Sequence, residues 1–213
     1  MSFGNVLIFG DSYSTFKDWI PAGHASYYPP VIESRPMIAK VEDTWWHALI
    51  TETDSKLLLN ESWSGSTIGY TGYDGADTSK TSSFIARLKK HTAEGFFEKN
   101  KIDTVFVFGG TNDSWSDAPV GNIKFENLEE KDLYSVLPAV CFFLGELKKL
   151  VPSARIIFVI NSDLKEKITE GIESACKHFS IETVRLFEID KKSDHPTVLG
   201  MKQIKEILSK CKL

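Results

Sequence analysis

Ser12 is the residue of this chain whose type and position point most directly to chemistry. It lies in Gly10-Asp11-Ser12-Tyr13, immediately after the apolar run Asn5–Phe9. A short apolar run that ends at a glycine predicts a buried strand, and open α/β sheets carry reacting groups just beyond the carboxyl ends of their strands. A serine hydroxyl is a weak nucleophile, so it needs a base that can take its proton. The rest of the chain must supply that base, and donors for the negative charge that attack on a carbonyl group creates.

Three other segments carry groups that could serve these roles. Asp194-His195-Pro196, near the C-terminus, offers an imidazole as the base. Gly109-Gly110-Thr111-Asn112-Asp113 follows the apolar run Thr104–Phe108 and offers an amide side chain. Ser62-Trp63-Ser64-Gly65-Ser66 follows the apolar run Leu57–Leu59 and offers an exposed backbone N–H. Because the last two segments follow predicted strands, we expect them to border the same crevice as Ser12.

Taken in this order, FGDSYS, SWSGST, GGTND and DHP resemble the motifs of the SGNH (GDSL) hydrolase family, and the resemblance runs from residue 9 to residue 200. It implies an esterase or acylhydrolase that works through an acyl intermediate on Ser12, with His195 as the general base. It also implies an oxyanion hole made of the backbone N–H of Ser12 together with Gly65 and Asn112. We expect neither a cofactor nor a metal at this site.

Each of these residues also has a purely structural interpretation. Ser12 is a residue type that commonly caps a helix. Gly65 could serve a turn with positive φ, and Asn112 could form an Asx turn. The conjunction of four motifs favours catalysis, and we expect Asp11 and Asp113 to brace their loops.

The acid that would orient His195 is the point at which the sequence departs from the family pattern. The family usually places an Asp three residues before the histidine, and here that position is Lys192. Asp194 is adjacent to His195, and consecutive side chains tend to diverge. Asp190, five residues before the histidine, could curl back toward the imidazole, so we predict Asp190 as the third catalytic residue. Asp194 is one alternative, and a Ser–His dyad whose imidazole is held by a backbone carbonyl is another.

Aromatic side chains are frequent in the two long loops at residues 13–42 and 61–81 and shortly after Asn112. They suit sugar rings or acyl chains, and they could equally pack the loops down: Trp19, Tyr27, Tyr28, Trp63, Tyr70, Tyr73 and Trp115. Among them we expect Trp63 and Trp115 to bind substrate. This richness favours a small-molecule or carbohydrate ester as the substrate, and deacetylation of a carbohydrate as the reaction.

Strand and helix patterns alternate along the chain. The predicted strands are Asn5–Phe9, Lys56–Asn60, Thr104–Phe108, Arg155–Ile160 and Glu182–Leu186. The predicted helices are Thr44–Glu52, Ser82–His91, Lys131–Leu150, Asp163–Phe179 and Thr197–Lys210. Near-continuous apolar strands indicate a parallel sheet covered on both faces. The fold class is therefore α/β, a single three-layer α/β/α domain over residues 1–213 with a five-stranded parallel sheet. The family resemblance implies the flavodoxin-like strand order.

Composition excludes several other classes of protein. The formal net charge is −4 and no basic block occurs, so we expect no nucleic-acid partner. The apolar stretches are too short to span a bilayer, so we expect no membrane insertion. Cys141, Cys176 and Cys211 have no metal-ligand spacing. The N-terminus lacks a signal-peptide pattern, which predicts a cytoplasmic protein if the chain is complete and an exported one if a leader has been removed.

Two other functions fit the same residues. Carboxylates and an imidazole at strand ends could ligate a divalent metal in a phosphoesterase: Asp11, Asp113, Asp190 and His195. The absence of an Asp at position 192 also leaves open a non-catalytic carbohydrate-binding protein on a hydrolase fold.

Overall fold

A five-stranded parallel sheet forms the centre of the computed structural model, which describes residues 2–30 and 38–211. Its strands are β1 (Asn5–Gly10), β2 (Lys56–Ser62), β3 (Thr104–Phe108), β4 (Arg155–Ile160) and β5 (Glu182–Arg185). Their spatial order is β2-β1-β3-β4-β5. This is the flavodoxin-like order, so the predicted α/β fold class and its strand order are confirmed. Part of the first long loop, residues 31–37, lies outside the described residues.

Helices cover both faces of this sheet. One face carries α1 (Trp45–Glu52) and α7 (Val198–Leu208), and the opposite face carries α2 (Phe84–Ala93), α5 (Val136–Leu150) and α6 (Glu166–His178). Two short helices, α3 (Phe96–Lys99) and α4 (Thr111–Trp115), follow α2 and β3. A small antiparallel pair, β6 (Lys191–Lys192) and β7 (His195–Pro196), stands apart from the main sheet. Within the described residues no helix has the length and apolar character needed to cross a bilayer.

The alternation of side chains along β3 shows how the sheet separates two apolar cores. Val105 and Val107 pack with α2, α5 and α6, whereas Phe106 and Phe108 pack with α1 and α7. All four side chains are fully buried. Successive side chains of a strand point to opposite faces, so a strand buried on both faces must be apolar throughout.

The start of α5 differs from its prediction. The sequence pattern predicted a helix from Lys131 to Leu150, but Glu130–Tyr134 forms a separate 3₁₀ helix and α5 begins at Val136. Pro138 explains the break, because a proline ring in a helix collides with the carbonyl group four residues earlier, here that of Tyr134. The hydroxyl residues predicted to open α1 and α7 are instead their N-caps, Thr44 and Thr197.

Candidate active site

Ser12 begins a 3₁₀ turn, Ser12–Ser14, directly beyond the carboxyl end of β1. Asp11 caps this turn, since its Oδ1 accepts a hydrogen bond from the N–H of Tyr13 at 3.0 Å. Gly10 permits the close packing beneath the turn, because a Cβ there would lie 2.4 Å from Oγ of Ser62 and 2.7 Å from Cβ of Ser14. The nucleophile candidate is therefore held by a rigid turn rather than by a flexible loop.

His195 lies in a short hairpin whose connecting turn has two residues, and this hairpin brings it to the Ser12 turn. Ser193 and Asp194 connect β6 to β7, and both have positive φ, 49° and 59°. Positive φ at both central residues is the geometry of the type I′ turn that tight hairpins favour. Lys192 pairs with His195 across the hairpin. The histidine is thus the first residue after a tight turn, which fixes where its ring can lie.

The hydroxyl of Ser12 and the ring of His195 are in hydrogen-bond contact. Oγ of Ser12 donates to Nε2 of His195 at 2.9 Å, and Nδ1 of His195 donates to the carbonyl oxygen of Ser193 at 3.0 Å. A carbonyl oxygen can only accept a hydrogen bond, so in the neutral imidazole the proton must reside on Nδ1. Nε2 then presents its lone pair to the Ser12 hydroxyl, which is the tautomer that a general base requires.

The two aspartates considered as orienting acids make contacts around the hairpin, Asp190 through its side chain and backbone and Asp194 through its backbone carbonyl. Oδ2 of Asp190 accepts a hydrogen bond from Oγ1 of Thr197, and the backbone N–H of Asp190 donates to Oε1 of Gln203 at 2.7 Å. Asp190 thereby ties the start of the hairpin to α7. The backbone carbonyl of Asp194 accepts from the hydroxyl of Tyr13 at 2.5 Å. The role of Asp190 as the catalytic acid remains a prediction.

Three tyrosines hold the His195 hairpin against the Ser12 turn. Besides the bond from Tyr13 to the turn, the hydroxyl of Tyr28 donates to the carbonyl of Pro196 at 2.9 Å. The ring of Tyr27 stacks on the imidazole of His195, with the ring centroids 3.7 Å apart and the planes 5° from parallel. The ring of Tyr13 lies 5.3 Å from the same imidazole. The hairpin is therefore fixed on both sides of the histidine.

The oxyanion candidates Gly65 and Asn112 lie in the segments that follow β2 and β3, and a hydrogen bond between Asn112 and Ser66 joins these segments. Gly65 has φ +80° and open space where a Cβ would lie, and no acceptor among the described residues takes its backbone N–H. Asn112, in α4, donates one N–H of its amide to the carbonyl of Ser66 at 2.9 Å. Its Oδ1 accepts from the hydroxyl of Tyr73 at 2.8 Å. These two bonds fix the orientation of the amide, and its second N–H has no acceptor among the described residues.

Two buried carboxylates support these loops. Asp113 accepts hydrogen bonds from the backbone N–H groups of Ile68 and Gly69, at 3.0 and 3.3 Å. Burial raises the pKa of Asp113 to about 6, although these backbone bonds oppose the rise. Burial also raises the pKa of Asp11 to about 7, although the hydrogen bond from Tyr13 acts to lower it. Both aspartates therefore brace backbone in the way that the sequence predicts for loop-stabilising side chains.

The buried side chain of Arg87 donates hydrogen bonds to three segments of the site. Its guanidinium donates to the carbonyl of Glu61, to the carbonyl of Gly10 at 3.4 Å and to Oγ of Ser66 at 3.0 Å. The side chain is 2% exposed. Burial lowers the pKa of Arg87 to about 10, although the negative charge of Glu61 acts to raise it. Burial acts to raise the pKa of Glu61, but a hydrogen bond from His91 and the charge of Arg87 outweigh it and hold that pKa below its ordinary value.

The predicted substrate-binding tryptophans lie in different environments. Trp115 ends α4, and its ring centroid lies 5.9 Å from that of His195. Trp63 donates its backbone N–H to the carbonyl of Gly10 at 3.1 Å, while its ring lies against that of His24 with the centroids 4.1 Å apart and the planes tilted by 30°. Both residues are half-buried.

Sequence reasoning did not single out Arg87, and it treated Tyr27 and Tyr73 only as loop aromatics. The signal for Arg87 was present, because it occupies a buried position on the same helical stripe as Phe84 and Leu88. An arginine on an apolar stripe indicates a buried polar network. No comparable pattern marks the tyrosines, whose partners are more than 30 residues away in the chain.

The metal-ligand alternative has no matching cluster in the structure. Within residues 2–30 and 38–211, no group of three or more His, Cys, Asp or Glu side chains is arranged to hold a metal ion.

Comparison with known proteins identifies the family of this chain. The family model of the GDSL-like Lipase/Acylhydrolase family matches residues 4–211. A candidate GDSL-like lipase from Bacteroides uniformis ATCC 8492 is 41% identical, with 96% of this chain and 93% of that chain covered and a TM-score of 0.88. A second, from Bacteroides ovatus ATCC 8483, is 38% identical over 96% of this chain and 95% of that chain, with a TM-score of 0.87.

More distant structures share the fold. A family two carbohydrate esterase from Clostridium thermocellum, solved with cellohexaose, is 15% identical and has a TM-score of 0.62 over 97% of this chain and 62% of that chain. No curated protein matches the chain significantly. The match of a single family model to nearly all of the sequence, and two structures at about two-fifths identity, confirm what the four motifs predict: this chain belongs to the GDSL-like lipase/acylhydrolase family, a family of hydrolases.

Proposed function

We propose that this protein is a serine esterase that cleaves a carboxylic ester through an acyl intermediate on Ser12. The observation that carries the proposal is the pair of hydrogen bonds on the His195 ring, from Ser12 to Nε2 at 2.9 Å and from Nδ1 to Ser193 at 3.0 Å. Together they present a basic nitrogen to a hydroxyl group, which is how a weak alcohol becomes a nucleophile.

In the first step Oγ of Ser12 attacks the ester carbon while its proton passes to Nε2 of His195. A bond forms between Oγ and carbon, and the carbonyl π electrons move to oxygen, which becomes an oxyanion. When the oxyanion collapses, the bond to the alcohol oxygen breaks and His195 returns the proton to the leaving alcohol. The products of this step are the free alcohol and acyl-Ser12.

In the second step water takes the place of Ser12. His195 accepts a proton from the water, whose oxygen bonds to the acyl carbon, and the bond from that carbon to Oγ then breaks. The proton returns to Oγ, so the carboxylic acid leaves and Ser12 is regenerated. The overall change is the addition of one water across the ester bond, and no cofactor enters the balance.

The oxyanion is proposed to bind the backbone N–H of Ser12, the backbone N–H of Gly65 and the second N–H of the Asn112 amide. The first N–H groups of a helix have no partner within it, and Ser12 begins the 3₁₀ turn. Fixed donors stabilise the growing charge without having to reorganise, and loss of one such donor typically costs about 10²–10³ in rate.

The Ser193 carbonyl is proposed to hold the imidazole in the reactive tautomer. It does so by accepting from Nδ1, the bond that an aspartate makes in a Ser-His-Asp triad. In this proposal Asp190 stabilises the hairpin through Thr197, and its role as the acid is left to the experiment in the Discussion.

The substrate class is proposed to be an ester of a small molecule or carbohydrate, with an acetylated sugar as the first candidate. Support comes from the half-buried rings of Trp63 and Trp115 beside the Ser12 turn, since aromatic faces suit sugar rings. Carbohydrate esterases are also among the proteins that share the fold.

An ester panel and a covalent probe test the proposal together. Wild-type protein, Ser12→Ala and the control Ser153→Ala are assayed on acetylated sugars and on p-nitrophenyl esters of increasing acyl length, with and without EDTA. Ser153 lies on the turn before β4 and is exposed. Wild type and Ser153→Ala should hydrolyse acetyl esters with or without EDTA and should react with an organophosphonate. Ser12→Ala should do neither.

Three results would contradict the proposal. Turnover by Ser12→Ala would remove this residue from the mechanism. Loss of wild-type activity in EDTA would favour a metal-dependent phosphoesterase. A wild-type protein that binds sugars but neither hydrolyses esters nor reacts with the phosphonate would be a carbohydrate-binding protein.

A further inference from the structure

The stacked ring of Tyr27 is the closest aromatic contact of His195. With 3.7 Å between the centroids and 5° between the planes, the two rings lie face to face. Tyr27 is 7% exposed, so its side of the contact is shielded from water, while His195 is half-buried. The face of an aromatic ring carries partial negative charge, and it therefore attracts a cation more strongly than it attracts a neutral ring.

Contacts on both sides hold Tyr27 in place. Its backbone N–H donates to Oγ1 of Thr15 at 2.9 Å, and the same Oγ1 donates to the carbonyl of Ser12 at 3.1 Å. Its ring packs edge-on against that of Tyr28, with the centroids 4.9 Å apart. The hydroxyl of Tyr28 is bonded to Pro196 on the histidine's own hairpin. The stacking ring is therefore anchored both to the turn of the nucleophile and to the hairpin of the base.

We propose that Tyr27 is a positioning residue whose ring face stabilises the imidazolium that His195 becomes when it takes the proton of Ser12. The inference rests on the proposed function for its kinetic consequence, but the coupling between the two rings can be measured without turnover. The carbonyl of Ser193 determines which nitrogen carries the proton in the neutral ring. The ring face of Tyr27, by contrast, stabilises the positive charge that the imidazole of His195 carries when both of its nitrogens are protonated.

Other ionisable groups lie on the elements around the imidazole. They are Asp11 and Tyr13 beside Ser12, Asp190, Lys191, Lys192 and Asp194 on the hairpin, and Asp163, which pairs with Lys191. A test that changes only the electron density of ring 27 leaves all of these groups unaltered. A shift of the His195 titration within such a series therefore reports the ring and nothing else.

The experiment replaces Tyr27 by Phe and by 3,4,5-trifluorophenylalanine in the full chain. The three side chains have nearly the same shape, but fluorine withdraws electron density from the ring face. The imidazole of His195 is titrated by NMR in each protein, and His195→Gln identifies its signals. We expect the trifluoro ring to lower the pKa of His195 by roughly half a unit to one unit relative to Phe.

The kinetic consequence has a defined sign. The base must be neutral to accept a proton, so kcat/KM falls as the pH drops through the pKa of His195. A lower pKa moves this acid limb to lower pH by the same amount. The plateau value of kcat should fall about three- to tenfold. A decrease of half a unit to one unit in the pKa of His195 destabilises the imidazolium by this same factor. A merely structural role would lower kcat and leave the acid limb in place.

Trifluorophenylalanine at Phe97, whose ring packs against Phe96, is the matched control and should leave the titration unchanged. Equal His195 pKa values in the Phe and trifluoro proteins, or a higher value in the latter, would overturn the inference. If the titration shifts while the wild-type protein neither hydrolyses esters nor reacts with the phosphonate, the ring coupling stands and the proposed function fails.

Discussion

The carbonyl oxygen of Ser193 lies 3.0 Å from Nδ1 of His195, two residues away in the same hairpin. The proposed base and the carbonyl group that accepts a hydrogen bond from its Nδ1 are therefore parts of one local structure. This is possible because the type I′ turn at Ser193 and Asp194 folds the chain back within two residues. In a triad, by contrast, the tautomer depends on a side chain that can be replaced.

This relationship leads to a prediction about the two neighbouring aspartates. With the imidazole held by the Ser193 carbonyl, as in the dyad alternative, Asp190→Asn and Asp194→Asn should each keep kcat/KM within about threefold of wild type, because neither change removes the acceptor of Nδ1–H. Steady-state kinetics at a pH above the acid limb checks this. A loss approaching the roughly 10⁴-fold effect of the same change in a serine-protease triad would give the mutated aspartate the role of the acid. Thr197→Val, which removes the hydroxyl bonded to Asp190, separates an effect on hairpin stability from an effect on chemistry.

Tyr73 is expected to orient the oxyanion amide. Tyr73→Phe removes the 2.8 Å bond to Oδ1 of Asn112, so the amide becomes free to rotate its N–H away from the oxyanion. A neutral hydrogen bond contributes about 0.5–1.5 kcal/mol, which corresponds to a loss in kcat of about three- to tenfold with little change in KM. Tyr134→Phe is the control, because its hydroxyl bonds to exposed Asp77. Equal kcat values in wild type and Tyr73→Phe would exclude this role.

Arg87 is expected to be the residue whose loss destabilises the site most. Arg87→Met removes a buried cation beside the carboxylate of Glu61, together with the hydrogen bonds that the guanidinium donates to Glu61, Gly10, Ser66 and Ser82, which should lower the free energy of unfolding by about 3–5 kcal/mol. Urea unfolding measures this, and Glu61→Gln in the same chain should recover part of the loss. Arg185→Met, which breaks an exposed pair with Glu166, should cost at most about 1 kcal/mol. Similar losses of unfolding free energy in Arg87→Met and Arg185→Met would show that Arg87 does not stabilise the site in this way.

The raised pKa of Asp11 predicts a pH dependence of stability. The folded protein holds this proton up to about pH 7, whereas an unfolded aspartate releases it near pH 4, so folding takes up a proton between these values. The contribution of Asp11 is full below that window and is lost as the pH rises through it. The stability of wild type relative to Asp11→Asn should therefore fall, by up to about 1.4 kcal/mol per pH unit. Urea unfolding of both proteins from pH 4 to pH 8 measures the difference, and parallel curves would refute it.

The periodicity of the sequence was sufficient to predict the central fold. The strands Thr104–Phe108 and Arg155–Ile160 have the bounds expected from their apolar runs, because a strand buried on both faces must be apolar from end to end. The helix predicted from Lys131 was wrong at its start, where Pro138 prevents helix in the preceding turn. The hairpin at residues 191–196 was not predicted, since its turn is Ser-Asp rather than a glycine pair and its strands have two residues each.

The sequence by itself determined the family, the sheet and the residues available for chemistry, because strand patterns and short motifs are local properties of the chain. Tertiary structure alone decided which atoms meet: Ser12 with His195, Tyr27 with the imidazole face, Tyr73 with Asn112 and Arg87 with the ends of β1 and β2. These partners come from different loops, and their distances depend on how the sheet and hairpin bring those loops together. No spacing within one segment can encode that convergence.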